Sequence, residues 1–386
     1  MKRASVVAVL AGMLAPLVLA GLAQAQVRVE YIAHACFVVE SPAGVRVVLD
    51  PYNGKRWLGY SFPDSIKADL VLITHPHYDH DASYYFSPDA PALRMRGKYK
   101  VGDVRLLGVR GKHADPYGRD FGQLNTLWVI ETGGLRIAHL GDNGPLTEAN
   151  LRALGRVDVL MIPIDGQDHI LTRGQIEAIL ATLAPRVVIP MHYQIPSLWS
   201  LPRSLGPIEP WLAGRDDVRR LGYHRAVFTP DSLPTETLIV VFPPSPGVNP
   251  WPASLKQAWA ELDQARALLQ QDTEAARNQA VVQLRRATEL APGAIRFWWE
   301  LGKALGARGK IEEAVRVLER GLATASRDDW EYTEGARATL AELYKAAGQP
   351  ALAAAQYRLI LATSYRTELR RLAEEFLQAN QGHEPH

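Results

Sequence analysis

Short apolar runs separated by turn residues fill the chain before residue 242 and predict a sheet-based domain. Between two of the later runs, Thr172 followed by Gln175 forms a capping-box pattern, which predicts a helix that ends near Ala184 and Pro185. Strands interspersed with helices are typical of an α/β domain. The nine runs that predict strands are rich in β-branched residues and read VRVEYIAH, CFVVES, VRVVLD, DLVLIT, VRLLGV, TLWVIET, LRIAHLGD, VDVLMIP and RVVIPMH.

After about residue 254 the pattern changes to Ala, Leu, Glu, Arg and Gln at helical spacing, which predicts a separate all-α domain. The segment WWELGKALGARGKIEEAVRVLERGLATA, residues 298–325, resembles the tetratricopeptide repeat. Each such helix pair leaves an apolar face that only a neighbouring repeat covers, so roughly three units are needed. A generic array of helical hairpins is the alternative. The predicted units are about 261–294, 295–328 and 334–367, with a capping helix near 368–380.

A proline-rich stretch separates these two patterns. Residues 243–252 contain five prolines in ten positions, which denies the backbone both helix continuation and strand pairing. The sequence therefore predicts a domain over residues 26–242, a linker over 243–253 and a helical domain over 254–386.

The first residues resemble a secretory signal peptide. Lys2 and Arg3 precede an apolar run that reaches the small-x-small pattern Ala23-Gln24-Ala25. We expect residues 1–25 to be removed and the protein to be exported, as a periplasmic or secreted protein. An uncleaved membrane anchor is the alternative, because the run is close to the roughly 20 residues that span a bilayer. No later segment is apolar and long enough to suggest a transmembrane helix.

Composition excludes some kinds of partner. Removal of residues 1–25 would leave 41 Lys and Arg against 41 Asp and Glu, so the mature chain is neutral. Nucleic-acid binding requires a basic excess or stripe, and neither is visible in the sequence. Cys36 is the only cysteine, so the chain forms no internal disulfide.

The candidate chemistry lies in the loop ITHPHYDHD, residues 73–81, which follows a predicted strand. His75 and His77 are two apart on extended backbone and point to the same side, while Asp79 and His80 can reach a second point a few ångströms away. A solvated loop rich in histidine is the alternative. Three histidines at this spacing arise by chance on the order of once in a hundred chains of this composition, which favours metal ligands for two cations.

Three further candidates each come just after a predicted strand. They are His113 after VRLLGVRGK, Asp142 after LRIAHLG and His192 after RVVIPM. Taken singly, each is more typical of a capped histidine or a turn residue. Together with the 73–81 loop they favour a common metal site.

These motifs carry a resemblance to a known family. THPHYDHD, His113, LGDN and PMHY resemble the successive metal motifs of the metallo-β-lactamase superfamily of hydrolases, over about residues 27–242. The opening EYIAHACFVVESPAGVRVVLDPY is similar to the branch that contains ascorbate-6-phosphate lactonase and the N-acylphosphatidylethanolamine phospholipase D enzymes. The resemblance implies an αββα sandwich, followed here by the helical repeats.

The resemblance also implies a ligand set. His75, His77 and His113 would hold the first cation, Asp79, His80 and His192 would hold the second, and Asp142 would bridge them. Nitrogen and oxygen ligands suit zinc, with manganese or iron as alternatives. Two such cations lower the pKa of water to about 7, so hydroxide exists at neutral pH. We therefore expect a metal-dependent hydrolase that uses metal-bound hydroxide on an ester, lactone or phosphodiester.

The expected substrate is a small molecule or a lipid-like compound, and Asp79 or Asp142 would orient the water or accept its proton. Four residues are candidates for supporting or substrate-binding roles: His34, Asp50, Tyr193 and His169. Turn or packing roles are their alternatives, and His139, inside a strand, is expected to be structural. The segment 195–214, with Trp199 and Trp211, is either an apolar lid or a loop packed on its own domain.

A rival hypothesis is a non-catalytic scaffold in which the helical repeats bind a protein partner. All seven predicted ligand positions carry competent side chains, which favours the hydrolase over the scaffold.

Overall fold

The computed structural model describes residues 26–55, 58–113, 124–164, 170–198, 205–326, 329–364 and 366–380. The predicted signal peptide, residues 1–25, lies outside them. The chain divides into two compact units between Pro250 and Trp251, inside the proline-rich stretch.

The first unit is an α/β sandwich built from two sheets. One sheet has the strand order β13-β1-β2-β3-β4-β5, and the other has the order β12-β14-β11-β10-β9-β8-β7-β6. The strands are β1 (Val27–Ala33), β2 (Cys36–Glu40), β3 (Arg46–Leu49), β4 (Leu70–Leu72), β5 (Ala92–Leu93), β6 (Gly97–Val101), β7 (Val104–Lys112), β8 (Leu124–Thr132), β9 (Leu135–His139), β10 (Val159–Pro163), β11 (Val187–Met191), β12 (Val218–Arg220), β13 (Arg225–Phe228) and β14 (Leu238–Val241).

All nine predicted strands are present, and the sandwich prediction is confirmed. The five strands that the pattern missed are β5, β6, β12, β13 and β14. Both ends of the eight-stranded sheet are polar: β6 reads GKYKV and β12 reads VRR. β6 carries two lysines and β12 is only three residues long with two arginines, so neither forms the apolar β-branched run from which the other strands were predicted.

The described part of the first unit contains three α-helices: α1 (Glu148–Leu154), α2 (Arg173–Leu183) and α3 (Glu209–Leu212). The predicted capping box of α2 is confirmed, because the Thr172 hydroxyl accepts from the Gln175 backbone N–H while the Gln175 side chain accepts from the Thr172 backbone. The helix ends at Leu183, and Ala184 closes it in a left-handed conformation.

The core lies between the two sheets and reaches the candidate metal loop. Trp128 on β8 is completely buried, and its indole N–H donates to the carbonyl oxygen of Ile73 at 2.9 Å. Ile73 directly follows β4 of the other sheet. This bond therefore joins the two sheets beside the loop that begins at Thr74.

Strand direction brings the polar loops to the ends of the sheets. In the six-stranded sheet, a common direction is shared by β1, β3 and β4. In the eight-stranded sheet, a common direction is shared by β7, β9, β10 and β11. The carboxyl ends of strands that run in one direction meet at one edge of a sheet, where ligands bind in α/β folds. Every predicted metal ligand follows the end of one of these strands.

The second unit is all-α, as predicted. In the described part of the chain it contains seven helices, α4 (Ala253–Leu269), α5 (Glu274–Leu290), α6 (Ile295–Gly306), α7 (Ile311–Thr324), α8 (Trp330–Ala346), α9 (Pro350–Thr363) and α10 (Thr367–Ala379). The first helix begins at Ala253, before the repeat start that was predicted near residue 261, because alignment on Pro292 cuts α4 in its middle. Among the described residues, no helix combines the length and the apolar character needed to cross a membrane.

Small residues allow α6 and α7 to pack closely. A Cβ atom added at Gly302 would lie 2.6 Å from Leu318 Cγ, and one added at Gly321 would lie 2.7 Å from Trp298 Cγ. These glycines therefore mark the crossing points of the two helices.

Replacing Gly321 by Ala is expected to lower the free energy of unfolding by about 1–3 kcal/mol through overpacking against Trp298. The higher helix propensity of Ala, worth about 1 kcal/mol, opposes this effect and does not cancel it. Chemical denaturation of the full chain, followed by far-ultraviolet circular dichroism, measures the difference. Gly293→Ala is the control, because a Cβ atom there meets nothing within 4 Å. Equal stability of the two variants would contradict the packing argument.

Candidate metal centre

The structure brings all seven predicted ligands together at the ends of the strands. Their ligand atoms form overlapping clusters in which the atoms lie within 4.8 Å of one another. The clusters are His75, His77 and His113; His75, His80 and Asp142; and Asp79, His80 and His192 together with His34. All of these residues are buried except His77, which is half-buried.

Asp142 lies at the centre of this arrangement. Its Oδ2 atom faces four Nε2 atoms from three separate parts of the chain: the 73–81 loop, His113 and His192. The distances from Oδ2 are 3.2 Å to His192, 3.3 Å to His80, 3.8 Å to His113 and 3.9 Å to His75. One carboxylate therefore touches both proposed halves of the site.

Asp79 completes the second half. Its Oδ2 atom lies 3.6 Å from His80 Nε2 and 3.8 Å from His192 Nε2. Four ligands around a zinc-sized cation, with bonds of about 2.0–2.2 Å, lie about 3.3–3.6 Å apart. The separations among Asp79, His80, His192 and Asp142 are close to this spacing. In the first half, His75 Nε2 and His77 Nδ1 are 2.9 Å apart and face the same point.

Asp50 and Thr74 orient two of the imidazoles. Asp50 accepts hydrogen bonds from the Thr74 backbone N–H at 2.8 Å, from the Thr74 hydroxyl at 2.6 Å and from His80 Nδ1 at 2.8 Å. Because its hydrogen goes to Asp50, the Thr74 oxygen accepts from His75 Nδ1, at 3.0 Å. In both histidines the Nδ1–H is fixed and Nε2 is directed at Asp142, as ligand imidazoles require.

The buried carboxylates of the site favour the binding of a cation. Burial opposes ionisation of Asp79 and Asp142, but neighbouring histidines hold the pKa of each carboxyl well below its usual range. Burial likewise opposes charging of His80 and His192. The nearby carboxylates, Asp142 foremost, nevertheless raise the pKa of His80 well above its ordinary value and that of His192 to about 9. A divalent cation bound among these groups would supply the positive charge that the buried carboxylates favour.

Two buried polar atoms that lack hydrogen-bond partners bear on whether these residues fit a metal. Within the described part of the chain, His80 Nε2 and Asp142 Oδ1 are buried and make no hydrogen bond. Buried polar atoms without a partner are rare and costly. Both belong to the proposed ligands, and the set of imidazole and carboxylate groups suits zinc, manganese or iron. The residues therefore fit a metal centre.

The backbone holds three site residues in an unusual conformation. His34, Asp50 and His192 have φ values of 58°, 41° and 59°, in the left-handed region that non-glycine residues seldom adopt. Each directly follows a strand. Strain of this kind persists where the surrounding structure fixes it, and it is common at functional sites.

The loop that carries Asp142 has almost no free space. Gly141 has a φ of 53°, and a Cβ atom there would lie 2.5 Å from Thr74 Cβ. Beyond Asp142, the Asn143 side chain accepts from the Lys112 backbone N–H at 2.9 Å and so fixes the end of β7, from which His113 extends. The motif Gly141-Asp142-Asn143 predicts a ligand within a turn, but the sequence does not indicate the roles of Asn143 and Thr74. The one feature of the sequence that could have indicated these two residues is their position, because each directly adjoins a proposed ligand.

The remaining candidates have different surroundings. Tyr193 is 5% exposed, and burial raises its pKa to about 12. Trp211 is 6% exposed and donates its indole N–H to Glu177 on α2 at 2.9 Å, so this part of the 195–214 segment packs on its own domain. His169 and Trp199 lie outside the described residues.

A family model and several known proteins are similar to this chain. Residues 28–192 match the family model of the beta-lactamase superfamily domain. A UPF0173 metal-dependent hydrolase from Thermoplasma acidophilum is 30% identical over 184 residues, which are 42% of this chain and 80% of that protein. Another, from Thermococcus onnurineus, is 29% identical over 194 residues, 43% of this chain and 84% of that protein.

Among solved structures, a protein from Thermotoga maritima named as a Zn-dependent hydrolase of the metallo-β-lactamase superfamily is 27% identical. The match covers 56% of this chain and 98% of that one, with a TM-score of 0.45.

The family match includes His34, the 73–81 loop, His113, Asp142 and His192. It therefore covers every proposed ligand of the buried cluster. The superfamily prediction from the sequence motifs is confirmed. The chain belongs to the metallo-β-lactamase superfamily and is a metal-dependent hydrolase of that fold.

Proposed function

We propose that the chain hydrolyses an ester, a lactone or a phosphodiester with two divalent cations held by the seven predicted ligands. The observation that carries this proposal is the position of Asp142, whose Oδ2 atom lies within 3.2–3.9 Å of four imidazole nitrogens. A carboxylate shared between two groups of histidines is the arrangement expected of a bridging ligand. Cations bound there supply Lewis acidity, lower the pKa of water and polarise a substrate oxygen.

Asp79 is the residue best placed to handle the proton of the attacking water. Its side chain is 9% exposed, against 4% for Asp142 and none for Asp50, so Asp79 is the carboxylate that water reaches most readily. Asp142 would hold and orient the ligand imidazoles around it. Asp50 would keep His80 in the tautomer that leaves Nε2 for the metal.

Zinc is the proposed metal, because imidazole and carboxylate groups in a buried four-ligand arrangement suit it. The substrate class rests on the segment of residues 30–52, which is similar to the lactonase and phospholipase D branch. A lactone or phosphodiester of a small molecule or lipid is therefore the preferred substrate. Tyr193 and His169 remain proposed contacts of that substrate.

Export and the role of the helical unit are also proposals. The pattern of residues 1–25 supports a cleaved signal peptide and a periplasmic or secreted location. Consecutive helices in the second unit, together with the close glycine contacts between α6 and α7, support a tetratricopeptide-like array. Such an array would bind a protein partner.

Metal analysis combined with a substrate panel tests the proposed function. The purified chain, loaded with zinc or manganese, would be incubated with lactones, phosphodiesters, acyl esters and β-lactams. We expect turnover of at least one class, its loss on chelation and its return on addition of metal. Less than about 0.2 metal ions per chain after loading, with no turnover, would contradict the proposal and favour a scaffold.

A further inference from the structure

His139 on β9 carries a buried imidazole, and its position inside a strand predicts a structural role. Its ring is completely buried, and it lies three positions before Asp142. Its Nε2 atom is 2.9 Å from the carbonyl oxygen of Ala35, and the backbone N–H of Gly141 donates to its Nδ1 atom at 3.1 Å. The side chain is therefore engaged at both nitrogens.

These two bonds fix one form of the ring. A carbonyl oxygen only accepts, so Nε2 of His139 carries the hydrogen. A backbone N–H only donates, so Nδ1 carries the lone pair. Only the neutral Nε2–H tautomer satisfies both partners. Burial lowers the pKa of His139, in agreement with a neutral ring.

The hydrogen bond from His139 to Ala35 ends beside the second half of the metal centre. Ala35 belongs to the turn between β1 and β2, next to His34. The His34 carbonyl accepts from the backbone N–H of His192 at 3.0 Å, and His34 Nε2 is 3.1 Å from Asp79 Oδ2. The rings of His34 and His192 are 4.2 Å apart. The turn thus contacts two proposed ligands directly.

The hydrogen bond between His139 and Gly141 lies beside the proposed bridging ligand, Asp142. Gly141 directly precedes Asp142, and its close approach to Thr74 leaves the loop little freedom to shift. β9 belongs to the eight-stranded sheet, whereas the turn between β1 and β2 belongs to the six-stranded sheet. His139 therefore spans the two sheets at the level of the site.

We propose that His139 is a positioning residue that couples the β1–β2 turn, which supports Asp79 and His192, to the loop that carries Asp142. This inference rests on the proposed function, because it takes these three residues to be metal ligands. Ligand atoms contributed by two different sheets bind a cation tightly only when the distance and orientation between the sheets are fixed. His139 fixes them at the site through two hydrogen bonds, without contacting the metal.

Three substitutions separate the two bonds. His139→Asn retains an acceptor near the Nδ1 position for Gly141, and His139→Gln retains a donor near the Nε2 position for Ala35. His139→Ala removes both. His224→Ala is the matched control, because this half-buried histidine pairs with Glu30 at 3.3 Å and is not among the proposed metal ligands.

Zinc affinity and the melting temperature of the metal-free chain would be measured for each variant, the affinity by competition with a chromophoric chelator. We expect His139→Ala to bind zinc about 10–100-fold more weakly than the wild type. The Asn and Gln variants should each recover part of this loss, and His224→Ala should bind as the wild type does.

Three outcomes would overturn the inference. If the wild type binds zinc and His139→Ala binds it equally tightly, His139 has no positioning role while the proposed function stands. If His139→Ala does not fold, the Asn and Gln variants decide, and wild-type affinity in both would overturn the inference. Absence of zinc binding by the wild type would instead refute the proposed function, and the inference with it.

Discussion

Replacing Asp142 by Ala should remove both cations and lower kcat/KM by about 10³-fold or more, since bound metal contributes several kcal/mol to transition-state stabilisation. The reason is its central position. Asp142 Oδ2 is the one carboxylate oxygen described within 4 Å of the Nε2 atoms of both His75 and His80. Loss of this carboxylate also leaves the surrounding histidines without their main negative partner.

Metal content per chain and turnover of whichever substrate the panel reveals are the measurements. Asp142→Asn separates charge from shape, because it retains the size of the side chain and removes the negative charge. Asp64→Ala is the control, since Asp64 is exposed and is not a proposed ligand. Two cations per chain in Asp142→Ala, or activity within about tenfold of the wild type, would refute the bridging role.

Asp50→Asn should weaken binding of the second cation by about 100-fold, although Asp50 touches no metal. Asn tolerates the left-handed backbone of this position, so the loop is retained. The new amide NH₂, however, would face the His80 Nδ1–H. To avoid two opposed donors, His80 would adopt the other tautomer, with hydrogen on Nε2, and could no longer bind the cation.

Zinc titration of the full chain should therefore show one strong and one weakened site in Asp50→Asn. Asp158→Asn is a matched control. Asp158 is also buried, but it accepts from the Arg136 backbone at 2.9 Å and from Arg156 at 2.7 Å, and it is not a proposed ligand. Two sites of wild-type affinity in Asp50→Asn would show that this carboxylate does not select the His80 tautomer.

The sequence predicted that these candidate ligands would lie close together, because each of them follows the end of a strand. His113 and His192 each follow a strong β-branched run, and the direction of the strands places such positions at one edge of the sandwich. The 73–81 loop adds the remaining histidines at a spacing that chance seldom produces. The fold and the clustering of the candidate ligands were thus predicted from the same two features, strand pattern and residue type.

Other parts of the site could not be predicted, because they act through contacts between distant segments. Thr74 and Asn143 are common residues in common positions, and only the folded chain shows that they orient His75 and fix the end of β7. His139 similarly gains its role from a carbonyl 104 positions away in the other sheet. The edge strands β6 and β12 were missed for a different reason, since their polar side chains hide the strand pattern.

Anomalous diffraction from crystals of the zinc-loaded chain, collected on both sides of the zinc absorption edge, would locate the bound cations without reference to any substrate. We predict two peaks that share Asp142 as a ligand. One should lie among His75, His77 and His113, and the other among Asp79, His80 and His192. A fully loaded chain with no peak in this cluster, or with its zinc bound elsewhere, would contradict the proposed two-cation site.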